Sequence, residues 1–448
     1  MRSLYLFRRD LRLEDNTGLI AALEESEEVV TLFITTPEQT HRNEYKSEKA
    51  LAFMTDSLEE LEEALKRKGG KLHYAHGEPA KIVEKLIKEK GIGAVYCNLD
   101  YTPYAVARDE RIRDICKKHG VTFKGYHDHL LNEPGKVVKD DGTAYTVFTP
   151  YYRKAMRDEV TKPRKNDHTN YAVVGHETLK GTHGLQAKEK SWRCGRAAGL
   201  RALKEAEGKK GYEHRRDYPS VNGTTKLSPH HKFGTISIRE SYWRLRKSHG
   251  VTSALVRQLY WRDFFTQVAY HHPHVFGHNF NRKYDAVTWD ADEEKFGKWC
   301  SGMTGFPIVD AGMRELAATG WMHNRARMIT ASFLTKHLHL DWRQGEKWFA
   351  QKLVDYDPCV NNGSWQWAAS TGCDAQPWFR IFNPWRQQER FDPEAEYIKR
   401  WVPELEDLPA KDIHSISENP VEGYPEPMVD HKEEREEALR RFKAATRG

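Results

Sequence analysis

Trp321-Met-His-Asn-Arg-Ala-Arg-Met328 and Asp355-Tyr-Asp-Pro-Cys-Val-Asn-Asn-Gly-Ser-Trp-Gln-Trp367 organise the reading of this chain. They set amide, guanidinium, carboxylate and indole groups at fixed spacing where an ordinary core shows aliphatic residues, so chemistry is expected here. The first stretch reads as a helix after the Thr319-Gly320 break. That puts Asn324 and Met328, four residues apart, on one face and sends Arg325 and Arg327 to different partners. In the second, Asp355 and Asp357 precede a proline and an Asn-Asn-Gly turn signal, so the carboxylates belong to a helix end or loop. Trp365 and Trp367, two apart, sit about 200° around a helix axis from each other and would do different jobs.

Upstream, short β-rich runs at 3–8, 29–34, 72–74, 94–98 and 122–125 alternate with helical patterns at 16–24, 46–67, 79–90 and 105–118. Alternation of this kind predicts a parallel five-stranded, Rossmann-like sheet covered by helices. The phosphate-cradling G-x-G-x-x-G is missing, because the first strand runs into Arg8-Arg-Asp-Leu-Arg-Leu-Glu-Asp-Asn16; the sheet therefore need not bind a dinucleotide. Residues 131–210 are polar and rich in Gly and Lys and read as an interdomain connection with a turn of helix near 195–206. From 211 to 448 helical periodicity dominates, which makes the chain an α/β domain over 1–130 followed by an all-α domain. Twelve of the 13 Trp fall between 243 and 401, where they serve either as an aromatic core or as an electron path.

At 448 residues the chain is too long for one core. No apolar run approaches the ~20 residues that cross a bilayer, and the N-terminus lacks a signal peptide, so a cytoplasmic protein without membrane contact is expected. The six Cys show no C-x-x-C pair and the 22 His no ligand spacing, so no metal is assigned. Net charge is +6; residues from Glu404 onward hold twelve acids and seven bases, a net of −5, which leaves +11 on 1–403 and favours a polyanion such as DNA.

Phe7-Arg-Arg-Asp-Leu-Arg-Leu-Glu-Asp-Asn16, Val147-Phe-Thr-Pro150, Gly223-Thr-Thr-Lys-Leu-Ser-Pro229, Trp261-Arg-Asp-Phe264, Gly305-Phe-Pro-Ile-Val-Asp-Ala311, Asn361–Thr371 and Arg380-Ile-Phe-Asn-Pro384 occur in one order along the chain. With them the sequence resembles the photolyase/cryptochrome flavoproteins over nearly its whole length. The resemblance implies an antenna-chromophore domain followed by a helical domain holding FAD. Tyr212, Thr224, Thr225, Lys226, Leu227, Ser228 and Arg262 match phosphate and ribityl contacts. Asp355 and Asp357 match residues that bracket the isoalloxazine, with Arg327 paired to Asp355, and Asn361 matches the residue facing flavin N5. Trp365, Trp342 and Trp289 fall where the family places three tryptophans that relay an electron to the flavin. Trp261 and Trp367 resemble the wall for a flipped lesion, Asn324 and Arg325 its polar contacts, and Gln387 a contact to the DNA strand.

Members acting on the (6-4) photoproduct carry His where this chain has Asn324 and Met328, and neither residue here delivers a proton. The resemblance therefore favours light-driven repair of cyclobutane pyrimidine dimers by an electron from excited reduced FAD. A blue-light-sensing cryptochrome and a (6-4) photolyase are the alternatives. Gln258 stands where cyclobutane-dimer enzymes generally show Glu. Leu99-Asp-Tyr-Thr-Pro-Tyr-Ala-Val-Ala-Arg108, with Asp100, resembles binders of 8-hydroxy-5-deazaflavin more than of folate or flavin. A monomer acting on DNA that contains pyrimidine dimers is expected.

Overall fold

The computed structural model describes residues 1–40, 43–175, 179, 185 and 192–446. Five parallel strands, β1 (Arg2–Phe7), β2 (Glu28–Thr35), β3 (Leu72–His76), β4 (Ile92–Asn98) and β5 (Thr122–Tyr126), form a sheet in the order β3-β2-β1-β4-β5. Leu4 pairs with Val30 on one side and Val95 on the other, and all three are at most 1% exposed. Burial on both faces explains why the inner strands read as continuous apolar runs, whereas β5 at the edge, Thr122-Phe-Lys-Gly-Tyr126, has no buried residue. The helices between them begin at side-chain caps, with Asn16, Ser47, Glu78 and Thr102 each accepting a hydrogen bond from a first-turn N–H.

In a doubly wound sheet of this order a phosphate would meet the start of the helix after β1. Here Thr17 N–H donates to Asp128 Oδ1 (3.1 Å), Gly18 N–H to Asn98 Oδ1 (2.9 Å) and Leu19 N–H to Asn16 Oδ1 (3.2 Å). The chain's own amides and carboxylate occupy that helix start, which is the physical counterpart of the missing glycine fingerprint.

Within the stretch 131–210, read from sequence as a connection with a turn of helix near 195–206, that helix runs Gly195–Glu207. The stretch also holds the helix Phe148–Ala155, which the sequence reading did not include, and Tyr171 forms a bridge with Val29 of β2. By packing, the chain forms two units: one comprises 1–210, 225–273 and 354–356, the other 211–224, 274–353 and 357–448. Residues 225–273 belong with the sheet because of a buried ionic lattice. Asp128 takes Arg12 at 2.6 Å and Arg239 at 2.8 Å, and Arg239 also holds Asp15 at 2.9 Å. All four side chains are at most 10% exposed, so removing one partner would strand buried charge at a cost of about 3–5 kcal/mol.

The second unit is helical, with Glu293–Ser301, Pro307–Thr319, Asn324–Lys336, Trp342–Lys352, Pro358–Ala369 and His431–Ala445 as its main elements. Gly302, Gly320 and Ser370 end three of them in left-handed backbone.

Candidate functional site

In the first unit, the helix Ala254–His271 presents Gln258, Trp261 and Arg262 at spacings of three and four, hence on one side. The Trp261 indole stacks on Phe148 at 3.6 Å and 6°, and Phe148 lies 5.7 Å and 13° from Tyr152, making three nearly parallel rings. The Arg257 guanidinium lies 5.3 Å from both the Phe148 and Tyr152 rings. Phe148 comes from the Val147-Phe-Thr-Pro150 motif, so that motif braces the tryptophan from behind. Gln258 is exposed, its amide folding back to Ala254 O at 3.4 Å. Arg262 donates to the carbonyls of His129 (2.5 Å) and His231 (3.4 Å).

The same unit holds Thr225–Ser228. Lys226 adopts φ +53°, Leu227 N–H reaches Thr225 Oγ1 at 3.4 Å, and Ser228 Oγ donates to the buried Asp355 Oδ2 at 2.6 Å. The helix that starts at Ser228 has Pro229 in its first turn and no side-chain cap. Asp100 pairs with Arg9 at 3.2 Å and accepts from Tyr101 N–H at 2.8 Å; the nearby Arg9 charge holds its carboxyl well below the usual range against the opposing effect of burial.

In the second unit Tyr212 opens a short helix after Gly211, with the Arg216 guanidinium 6.0 Å from its ring. Gly223 lies so near Arg215 O that a Cβ would come within 2.5 Å of it, so only glycine lets the chain pass there to Thr224. The expected helix begins at Asn324, three residues later than the Gly320 break suggests, because His323 Nδ1 caps it by accepting from Arg325 N–H at 3.1 Å. Asn324 Nδ2 lies 3.5 Å from Met328 Sδ, as their shared face requires. Arg325 and Arg327 do part company: Arg325 pairs with Asp217 at 2.7 Å and covers the Phe391 ring at 4.0 Å, while Arg327 Nε donates to Met322 O at 2.8 Å. Burial, with Arg325 adding to it, pushes the His323 imidazole down to about 4, so the one histidine beside Asn324 stays neutral and inside.

Asp357 caps the helix Pro358–Ala369 through Cys359 N–H (3.1 Å) and Val360 N–H (3.3 Å). Asn361 donates its Nδ2 to Glu346 O at 3.1 Å, which leaves Oδ1 as its acceptor. Sequence reasoning missed the network beneath: Asn362 Nδ2 donates to Glu346 Oε1 (2.9 Å), and Gln366 Nε2 to Asn362 Oδ1 (3.1 Å) and Val275 O (3.2 Å).

Trp365 is 2% exposed and Trp342 fully buried. Trp342 begins its helix, and one turn on Gly345 receives the Trp365 ring so closely that a Cβ would sit 2.1 Å from its Cη2. Trp289 precedes Asp290, which bridges Leu340 two residues before Trp342, and the Trp289 ring meets Phe442 at 6.2 Å. Trp367, on the same helix as Trp365, is half-buried, and Gln387 lies half-buried on the helix Pro384–Phe391.

Taken separately, the groups in each unit suit a flavin dinucleotide: an uncapped helix start with hydroxyls beside it for phosphate, and an asparagine carbonyl held ready to accept. Residues 255–444 match the FAD-binding domain of DNA photolyase and residues 3–167 match DNA photolyase. The chain belongs to the DNA photolyase family. It is 38% identical to the deoxyribodipyrimidine photo-lyase of Halobacterium salinarum and 36% identical to that of Escherichia coli, in each case over 99% of both chains. Among solved structures, an archaeal photolyase from Sulfolobus tokodaii with two FAD molecules is 44% identical with a TM-score of 0.90, over 99% of this chain and 100% of that one. A class III photolyase from Agrobacterium tumefaciens is 36% identical with a TM-score of 0.92, over 100% of this chain and 98% of that one.

Proposed function

We propose that this chain repairs cyclobutane pyrimidine dimers in DNA under light, with FAD held by the helical half. The observation that carries the substrate choice is the pair Asn324 and Met328: neither is an acid, and the neighbouring His323 is buried, neutral and spent on capping. A reaction that needs a proton donor at the lesion is poorly served here, whereas splitting a cyclobutane ring needs only an electron lent and returned. Reduced FAD, when bound, supplies that electron on excitation.

The protein's part is placement. Thr225, Ser228 and the uncapped helix start would hold phosphate, with Tyr212 and Thr224 contributing hydroxyls and Arg262 charge. Asn361 Oδ1 would accept from N5–H, with Asp355 and Asp357 beside the ring system. Trp261, stiffened by Phe148, would give an extruded base pair a flat wall, with Gln258 one turn away on the same helix, and the resemblance assigns Trp367 and Asn324 to the lesion as well. The exposed Arg380, Arg386 and Arg390 would meet phosphates, as would Gln387 a strand. Trp365, Trp342 and Trp289 would return the flavin to its reduced state. For the second chromophore, the archaeal relative with two FAD molecules favours a flavin over the deazaflavin that the Asp100 segment suggests, and Asp100 is already engaged by Arg9.

The test is illumination of purified, reduced protein with separate cyclobutane-dimer and (6-4) oligonucleotides. Restored thymines from the first alone are expected; repair of only the second, or of neither, would overturn the reading.

A further inference from the structure

Trp365 has an indole as ring neighbour, Trp299, whose ring centroid lies 6.2 Å away at 70° and which is likewise fully buried, while Trp342 begins the helix whose Gly345 receives the Trp365 ring. Proximity alone would send a hole on Trp365 to Trp299. The N–H groups of Trp299 and Trp342 differ. Trp299 Nε1 donates to a neutral carbonyl, Thr330 O, at 3.1 Å. Trp342 Nε1 donates to Asn279 Oδ1 at 2.9 Å, and Asn279 Nδ2 donates in turn to Asp285 Oδ1 at 2.7 Å. Asn279 is 1% exposed and Asp285 lies at the surface, so a line of hydrogen bonds runs from a buried indole to a carboxylate in contact with water. Trp365 Nε1 has no hydrogen-bond partner among the described residues and is shut off from solvent.

We propose that Asn279 and Asp285 steer the hole from Trp365 to Trp342 rather than to Trp299. An amide carbonyl polarised by a carboxylate lowers the energy of positive charge on the indole that donates to it, and an indole with no acceptor is the poorest place for that charge. The Arg343 guanidinium, 5.0 Å from the Trp342 ring, acts the other way, but it is tied to Asp341 at 2.9 and 3.1 Å and donates to Gly277 O, which offsets its charge. Asp285 in turn meets Arg282 through its other oxygen, at 3.3 Å, in an exposed pair that water screens, so Oδ1 still polarises Asn279. The step balances simply. Trp365 has given one electron to a photoexcited oxidised flavin; one electron then leaves Trp342 and restores Trp365. The Trp342 N–H proton stays on its nitrogen, drawn towards Asn279. The assignment rests on the tryptophan relay proposed above, with Asn279 and Asp285 as positioning residues.

The test uses the full flavin-bound chain. In the dark, nitrogen-15 correlation spectra of the indole N–H groups, assigned with W342F and W365F, should show the Trp342 signal moving in N279L and, less, in D285N, while the Trp299 signal stays. Under a flash, in a W289F background that stops the hole at the second indole, the lifetime of the charge-separated state should fall about tenfold in N279L and less in D285N, the scale of a hydrogen bond to a charged group. Adding W299F should leave that lifetime unchanged. Lifetimes indifferent to both N279L and D285N, or shortened by W299F, would overturn the proposal. W365F separates the two readings: if W365F still photoreduces like the parent, the relay itself is wrong, whereas a W365F that is dead beside a silent N279L defeats only the steering.

Discussion

Replacing Gly345 with alanine puts the account of the Trp365 site under direct strain. A Cβ there would sit 2.1 Å from Trp365 Cη2, 2.5 Å from Cζ3 and 2.6 Å from Leu334 Cδ2. Carbon atoms pack at about 3.5–4 Å, so the indole would have to retreat by more than 1 Å, roughly. It has no room: Phe349 lies 4.9 Å from the ring by centroid and Trp299 6.2 Å, and both are at most 2% exposed. Overpacking of this kind costs about 1–3 kcal/mol, against about 1 kcal/mol gained from alanine in a helix, and the severity of the overlap puts the balance near 2 kcal/mol lost. The helical unit should then melt roughly 4–8 °C lower. Gly297→Ala is the control, since that glycine is also within a helix but has nothing within 4 Å of a new Cβ; it should melt at or slightly above the parent. Photoreduction of the flavin should slow in G345A alone. A G345A protein as stable as G297A, with unaltered photoreduction, would refute the tight seating of Trp365 on this helix.

The five strands and the four longer helices of the first 126 residues were legible because each of those helices carries its cap and the inner strands are buried on both faces; their bounds agree to within two residues, while the four-residue helix Pro37–Thr40 was not read. Phe148–Ala155 was not legible, because its eight residues show no long apolar period and its rings pack on Trp261 and Phe264, more than a hundred positions away. The assignment of 225–273 to the sheet's unit rests on Arg239 meeting Asp15 and Asp128, a pairing of distant charges that no local pattern announces. At the site, Asn361, Asp355 and the tryptophans stood out by type. Gly345 was the missed signal: a glycine inside a helical pattern marks close approach. Asn279 lies in a loop and Asp285 in the short 3-10 helix Arg282–Ala286, and both become visible only through the indole they serve.

Three further outcomes follow. Gln258→Glu should raise the yield of dimer repair per absorbed photon in single-turnover flashes, since a carboxyl can share a proton with a thymine carbonyl and an amide cannot; an inert parent would contradict this. Burial pushes the Glu346 carboxyl from 4.5 up to about 7, so the folded chain prefers it protonated, and its contribution is whole below about pH 4.5 and lost as pH rises through 7. Glu346→Gln keeps the acceptor for Asn362 and cannot ionise; denaturant unfolding should find it more stable than the parent near pH 8, by up to roughly 3 kcal/mol, and equal near pH 4, while equal stability at both would refute the assignment. Phe148→Ala should weaken binding of dimer-containing DNA in filter or fluorescence titrations more than binding of undamaged DNA, by freeing the Trp261 ring; equal losses for both DNAs would show that the stack does not serve the lesion.

The account turns on an electron passing from the excited, fully reduced flavin to an extruded thymine dimer. The excited-state lifetime of that flavin, recorded with and without a dimer-containing oligonucleotide, measures this passage at its first step. The account predicts a marked shortening with the cyclobutane dimer and none with undamaged DNA of the same sequence; an unchanged lifetime with saturating dimer would contradict it.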